Sequence, residues 1–148
     1  MQVTAIAPQE INHRLAVFER ECRRKGLRIT NQRREIFKAV ASSRQHPSAE
    51  AVLLSVRRTL ANVSLDTVYR TLSTLEQMNL LTRVGTSSKE HFDGDLRPHA
   101  HFICTRCGEV YDVFVPQTSN SWEPQMLPCG KVQHINLQFK GICKRCNR

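Results

Sequence analysis

SLDTVYRTLSTLEQMNLLTRVGTSSKEHFD, residues 64–93, decides the fold. Ser64 supplies a hydroxyl that can cap a helix, and Asp66 places a carboxylate in its first turn. Leu65, Val68, Leu72, Leu75 and Met78 then recur at helical spacing as one apolar stripe, which Asn79 ends. Two short strand-like pieces follow, flanking a polar Gly-Thr-Ser-Ser-Lys turn. A capped helix leading into a hairpin is the second half of a winged helix-turn-helix. The helix face opposite the stripe carries Asp66, Tyr69, Arg70 and Ser73, side chains able to enter a major groove.

Upstream the periodicity predicts three more helices. Ile11, Leu15, Phe18 and Cys22 make an amphipathic stripe over 10–25, stopped by Gly26. Thr30 caps a second helix running to about Ser43, whose start gathers Arg28, Arg33 and Arg34, a cluster suited to phosphates. Ser48 caps a third, with Val52, Leu53, Val56 and Leu60 as its buried side. Lys89, Arg83 and the wing turn complete the basic surface expected on DNA. Downstream of Pro98 the pattern changes to short β-type runs, HAHFIC, EVYDVFV and VQHINLQFKGIC. The expected class is therefore α+β, with a winged-helix DNA-binding domain over 1–94 and a small α/β metal-binding domain over 95–148.

Charge follows the same division. Residues 1–90 hold fifteen Lys and Arg against eight Asp and Glu, whereas residues 91–148 hold seven against five. Seven of the nine net positive charges thus lie in the helical half, where a polyanionic partner is expected. MQVTAIAPQE has neither the basic start nor the apolar run of a signal peptide, and no stretch reaches membrane-spanning length, so a cytoplasmic setting is expected.

In that reducing setting paired cysteines point to metal rather than disulfides. Cys104-Thr-Arg-Cys107 and Cys143-Lys-Arg-Cys146, separated by 35 residues, supply four soft thiolates for a closed, structural Zn²⁺ site. Cys22 and Cys129 are left over. Just before the first pair, His99 and His101 share one face of a strand, and Cys104, three residues beyond His101, points to the other. Two distinct metal sites follow. His46, Asp93 and Asp112 are the candidate partners of the histidine pair, and each also suits an ordinary loop, turn or edge position.

Two rival classes compete with a DNA-binding regulator. A catalytic zinc site of the deaminase type needs an H-x-E motif partnered with P-C-x-x-C, and here H-A-H precedes C-T-R-C without that glutamate. A zinc-ribbon RNA-binding protein would be equally basic and cysteine-paired, but its affinity for RNA would not depend on a second metal.

Taken together in chain order, GLRITNQRREIF, HPSAE, DTVYRTL, EHFD, HAHFICTRCGEV and KGICKRC resemble the ferric uptake regulator family of bacterial metal-dependent repressors. The resemblance spans roughly residues 11–146. It implies a homodimer that binds palindromic operator DNA through the winged helix, dimerises through the α/β domain, and holds structural zinc on the four cysteines. It also implies a regulatory site of His46, Asp93, His99, His101 and Asp112, most like the peroxide-sensing branch because of aspartate at position 93. Three imidazoles and two carboxylates suit Fe²⁺ or Mn²⁺. In that branch, bound iron reacts with hydrogen peroxide and a ligand histidine is oxidised, which marks His46 and His99 here. Regulation by iron or another metal supply is the alternative the same resemblance allows. Beyond metal ions and peroxide, no small-molecule substrate is implied. Ile135 stands where relatives often place a further histidine, and His134 lies one residue off that register.

Overall fold

The computed structural model describes residues 5–114, 126–132 and 135–148. The chain forms two compact units, one ending at Leu96 and the other beginning at Arg97.

The first unit is four helices and a hairpin: α1 (Pro8–Arg24), α2 (Asn31–Ala41), α3 (Ala49–Val56), α4 (Leu65–Gln77), β1 (Thr82–Thr86) and β2 (Lys89–Asp93). Three helices start where a hydroxyl satisfies an otherwise orphaned amide. Thr30 accepts from Arg33 N at 3.2 Å, Ser48 from Ala51 N at 3.2 Å and Ser64 from Thr67 N at 3.1 Å. α1 instead begins at Pro8, ahead of the expected residue 10, because proline presets the helical φ and needs no amide partner there. Two helices stop in the same way. Gly26 (φ +69°) and Asn79 (φ +55°) turn left-handed, and the next amides bond back, Leu27 N to Cys22 O and Leu80 N to Leu75 O, both at 2.8 Å.

The apolar stripes of these helices meet in one core. Phe18 stacks on Phe37 with ring centroids 4.1 Å apart, and Val68, Leu72 and Leu75 of α4 are wholly buried with Ile36, Leu80 and Phe92. Leu53, Leu60, Leu65 and Met78, expected inside, pack at its margin. The hairpin turn is tighter than the sequence suggested. Gly85 and Thr86 belong to β1, leaving only Ser87 and Ser88 between the strands, with Thr86 paired to Lys89. Gly85 (φ +109°) is required there, since a Cβ would lie 2.3 Å from Lys89 O.

The second unit is built on β3 (Ala100–Cys104), flanked antiparallel by β4 (Val110–Val113) and parallel by β7 (Gln138–Gly141). A two-residue hairpin, β5 (Met126–Leu127) with β6 (Gly130–Lys131), precedes β7. Of the apolar run VQHINLQFKGIC only Gln138–Gly141 is strand among the described residues. His134 lies outside the described residues, while Ile135 is exposed.

Two substitutions test this account of α4. Ser64→Ala removes only the cap and is expected to cost about 1 kcal/mol. Leu72→Ala opens a cavity in the wholly buried stripe and should cost about 2–5 kcal/mol. Chemical denaturation followed by far-UV circular dichroism measures both.

Candidate metal centres and nucleic-acid surface

The register of β3 determines which side chains can meet. Phe102 is opposite Tyr111 and His101 is opposite Asp112, so imidazole and carboxylate share one face while Phe102, Tyr111 and Cys104 take the other.

On the sulfur face, Cys104 and Cys107 form one turn, closed by Gly108 N to Cys104 O at 2.8 Å. Cys143 and Cys146 form the second, closed by Cys146 N to Cys143 O at 3.0 Å. The parallel pairing of β3 with β7 aligns Cys104 with Gly141, which delivers the second turn beside the first. All four Sγ atoms lie within 4.8 Å of one another, and Cys107 Sγ is 3.9 Å from Cys143 Sγ. Zinc–sulfur bonds of about 2.3 Å in a tetrahedron put sulfurs about 3.8 Å apart. Donor set and spacing therefore fit a closed zinc site.

The thiols are already uneven in acidity. Backbone amides of Cys143 and Cys107 lower Cys104 to about 6, and the Cys146 amide lowers Cys143. Cys146 is pushed up to about 12, chiefly through its hydrogen bond with Cys143. Ionising all four requires a cation. Around them Tyr111 is raised to about 12 by its hydrogen bond with Cys143, and Arg145 is raised by its bonds with Cys107 and Glu109, the latter at 2.6 Å. These donors hold negative charge on sulfur.

On the opposite face His99, His101 and Asp112 converge. His99 sits just before β3 rather than on it, yet its Nε2 is 3.1 Å from His101 Nε2. Asp112 Oδ1 lies 3.3 Å from His99 Nε2 and 3.5 Å from His101 Nε2. His99 Nδ1 donates to Arg97 O at 2.7 Å, so its Nε2 is left as a lone-pair donor. Two nitrogens about 2.1 Å from one ion at a right angle are about 3 Å apart, so the triad fits adjacent positions around a metal.

In the first unit His46 and Asp93 are buried together, with Nε2 3.9 Å from Oδ2. Asp93 Oδ1 accepts from Asp95 N at 2.9 Å, and Arg14 holds Asp95 at 3.1 Å, which fixes the carboxylate from behind. His46 has φ +51°, a left-handed backbone that costs a non-glycine residue about 1–2 kcal/mol. His91, which no sequence motif singled out, donates from Nδ1 to His46 O at 2.6 Å. It stands two residues before Asp93 on β2, the one signal that places it on the same face.

The face of α4 opposite the core presents Tyr69 and Arg70 to solvent. Each has an intramolecular partner: Tyr69 OH donates to Glu50 at 3.2 Å, and Arg70 pairs with Asp66 at 2.9 Å. Such exposed pairs are worth under about 1 kcal/mol and are readily exchanged for a phosphate or base. Arg83 is differently placed from the expected phosphate contact. It is held by Glu76 and Glu90, both at 2.9 Å, lies over Phe92 and donates to Ser73 at 3.4 Å, which ties the hairpin to α4. Lys89 and Arg28 are exposed, and Arg33 donates to Arg28 O at 2.8 Å.

A winged-helix unit joined to a β unit with a four-cysteine cluster and a separate histidine–carboxylate triad defines a metal-responsive transcriptional regulator rather than an enzyme. Residues 24–140 match the ferric uptake regulator family. The chain belongs to that family. It is 30% identical over 141 residues to the peroxide-responsive repressor PerR of Staphylococcus epidermidis, covering 93% of each chain. Its fold is similar to that of the Pseudomonas aeruginosa ferric uptake regulator with manganese (TM-score 0.68, 26% identity, 86% of this chain and 98% of that one). It is also similar to PerR of Streptococcus pyogenes (TM-score 0.52, 26% identity, 97% and 95%).

Cys146→Ser is expected to lose zinc and to melt the strand signal of the second unit, read by metal analysis and circular dichroism. Zinc must displace the Cys146 proton, held at about 12, so affinity should rise with pH through neutrality and above. Competition with a chromophoric chelator at several pH values measures that slope, and a flat profile contradicts it.

Proposed function

We propose that the protein is a homodimeric, metal-dependent repressor that binds operator DNA through α4 and the wing and releases it in response to hydrogen peroxide. The observation that carries this is the separation of donors by strand parity. His101 of β3 and Asp112 of β4, with His99 beside them and no thiolate, stand on one face of the sheet, and the sulfur cluster stands on the other. In this reading the cysteines hold zinc and keep β3 in register. His46 and Asp93 with His99, His101 and Asp112 take up one regulatory ion, Fe²⁺ or Mn²⁺, and its binding selects the DNA-competent arrangement of the two units.

Fe²⁺ held by these residues would supply one-electron reduction of hydrogen peroxide, itself going to Fe³⁺ and leaving hydroxide and a hydroxyl radical beside the ligand imidazoles. His46 and His99 are the ligands expected to gain oxygen, and losing either donor weakens the site that holds the repressor on DNA. With Nδ1 committed to Arg97 O, His99 Nε2 is the nitrogen that would bind the ion. The likeness to peroxide-responsive repressors over 93% of the chain supports this reading. The second reading, control by metal supply, is favoured by the closer superposition on the manganese-bound ferric uptake regulator. Among the described residues no helix is long and apolar enough to cross a membrane. A repressor acting on operator DNA would work in the cytoplasm, and that location belongs to this reading.

Arg70→Ala should weaken operator binding by about 1–3 kcal/mol, whereas Lys89→Ala should reduce the salt dependence by about one ion. Fluorescence anisotropy on anaerobically purified protein separates them. The iron-loaded form should leave DNA after peroxide, with one oxygen atom added at His46 or His99 by mass spectrometry, and the manganese form should stay bound. Iron-loaded protein that stays on DNA with intact histidines removes the peroxide reading and leaves metal supply.

A further inference from the structure

His46 reaches its position against a local preference. It precedes Pro47, which disfavours helical conformations, and its φ of +51° lies in the left-handed region. Two hydrogen bonds from β2 hold this segment: Phe92 N to Pro47 O at 3.0 Å, and His91 Nδ1 to His46 O at 2.6 Å. The first is a backbone bond that any residue at 92 except proline can make. The second depends on the side chain at 91.

Three details show that the fold accommodates this ring. A carbonyl oxygen can only accept, so the proton is on Nδ1 and the tautomer is fixed. The other nitrogen, Nε2, is buried without a hydrogen-bond partner, a cost that favours an apolar residue here unless the Nδ1–H bond matters. On the paired strand, where Val84 is opposite His91, the next residue is Gly85. A Cβ there, already excluded by Lys89 O, would also lie 3.3 Å from His91 Cδ2, so the ring packs against the glycine.

We propose that His91 is a positioning residue for the regulatory metal. Its Nδ1–H pins the left-handed carbonyl of His46 and thereby aims the His46 imidazole at Asp93. The inference rests on His46 being a ligand, as proposed above. His91 itself need not touch the ion. Its influence passes through the backbone of the residue that does.

The test uses the full-length, zinc-retaining protein, titrated with Mn²⁺ while free Mn²⁺ is followed by electron paramagnetic resonance. His91→Gln fills the space but carries its amide at the Nε2 end, so it cannot make the bond. His91→Asn carries an amide N–H near the Nδ1 position. His91→Gln is expected to weaken Mn²⁺ binding about 10-fold or more, and His91→Asn to restore it to within about threefold, with zinc content and far-UV spectrum unchanged. In the zinc-retaining wild-type protein without Mn²⁺, long-range ¹H–¹⁵N correlation should show a proton on His91 Nδ1. Wild-type affinity in His91→Gln, or affinity as weak in His91→Asn as in His91→Gln, overturns the role of His91. His46→Ala is the separate control: if it binds Mn²⁺ as the wild type does, the ligand assignment fails, and the role of His91 with it.

Discussion

Four sulfur atoms within 4.8 Å of one another are the constraint on which the second unit depends. As thiolates they repel, and as thiols they are poor partners for the backbone amides that surround them. Among the described residues from Arg97 onward the buried apolar side chains besides the cysteines are Ala100, Ile103 and Val110, a small core to hold four sulfurs together. Bridged by zinc, they would join the turn after β3 to the turn after β7 and hold a parallel strand pair whose ends are far apart in sequence. That pairing fixes β3, and β3 carries His101. A zinc ion on the four sulfurs would thus set the position of His101 on the opposite face of the same strand.

The first unit meets a different constraint. Its helices are ordinary amphipathic elements with hydroxyl caps and left-handed stops, and their core is built of apolar side chains. What is unusual is the segment around His46 and Pro47, held in a conformation the free chain avoids by hydrogen bonds from β2. Arg14, through Asp95, braces the far end of the same hairpin. Backbone strain and buried carboxylate meet at one place, as they do where a protein keeps a site ready for a ligand.

Much of this was legible in the sequence because it is local. Thr30, Ser48 and Ser64 name the helix starts, Gly26 and Asn79 the stops, and the two C-x-x-C turns the sulfur cluster. Period-two alternation separated His101 from Cys104, and the register of β3 with β4 gives the same division, although His99 itself lies before the strand. Features that depend on distant partners were not legible. Arg83 reads as a free cation until Glu76 and Glu90 are brought to it, and His91 reads as a wing residue until the fold places His46 O beside its ring. Such partners are chosen by tertiary packing, which leaves no periodic trace.

The central strand also has a consequence for how such a chain can vary. Because β3 presents nitrogen donors to one side and sulfur to the other, its side chains are constrained less than its length. Phe102 or Ile103 can be exchanged for another residue of similar bulk without disturbing which way His101 and Cys104 point. Adding or deleting a single residue between them would reverse one set of donors relative to the other, and both centres would lose their geometry at once. Substitution on this strand is therefore a local change, while a change in the spacing of His101 and Cys104 acts on both donor sets together.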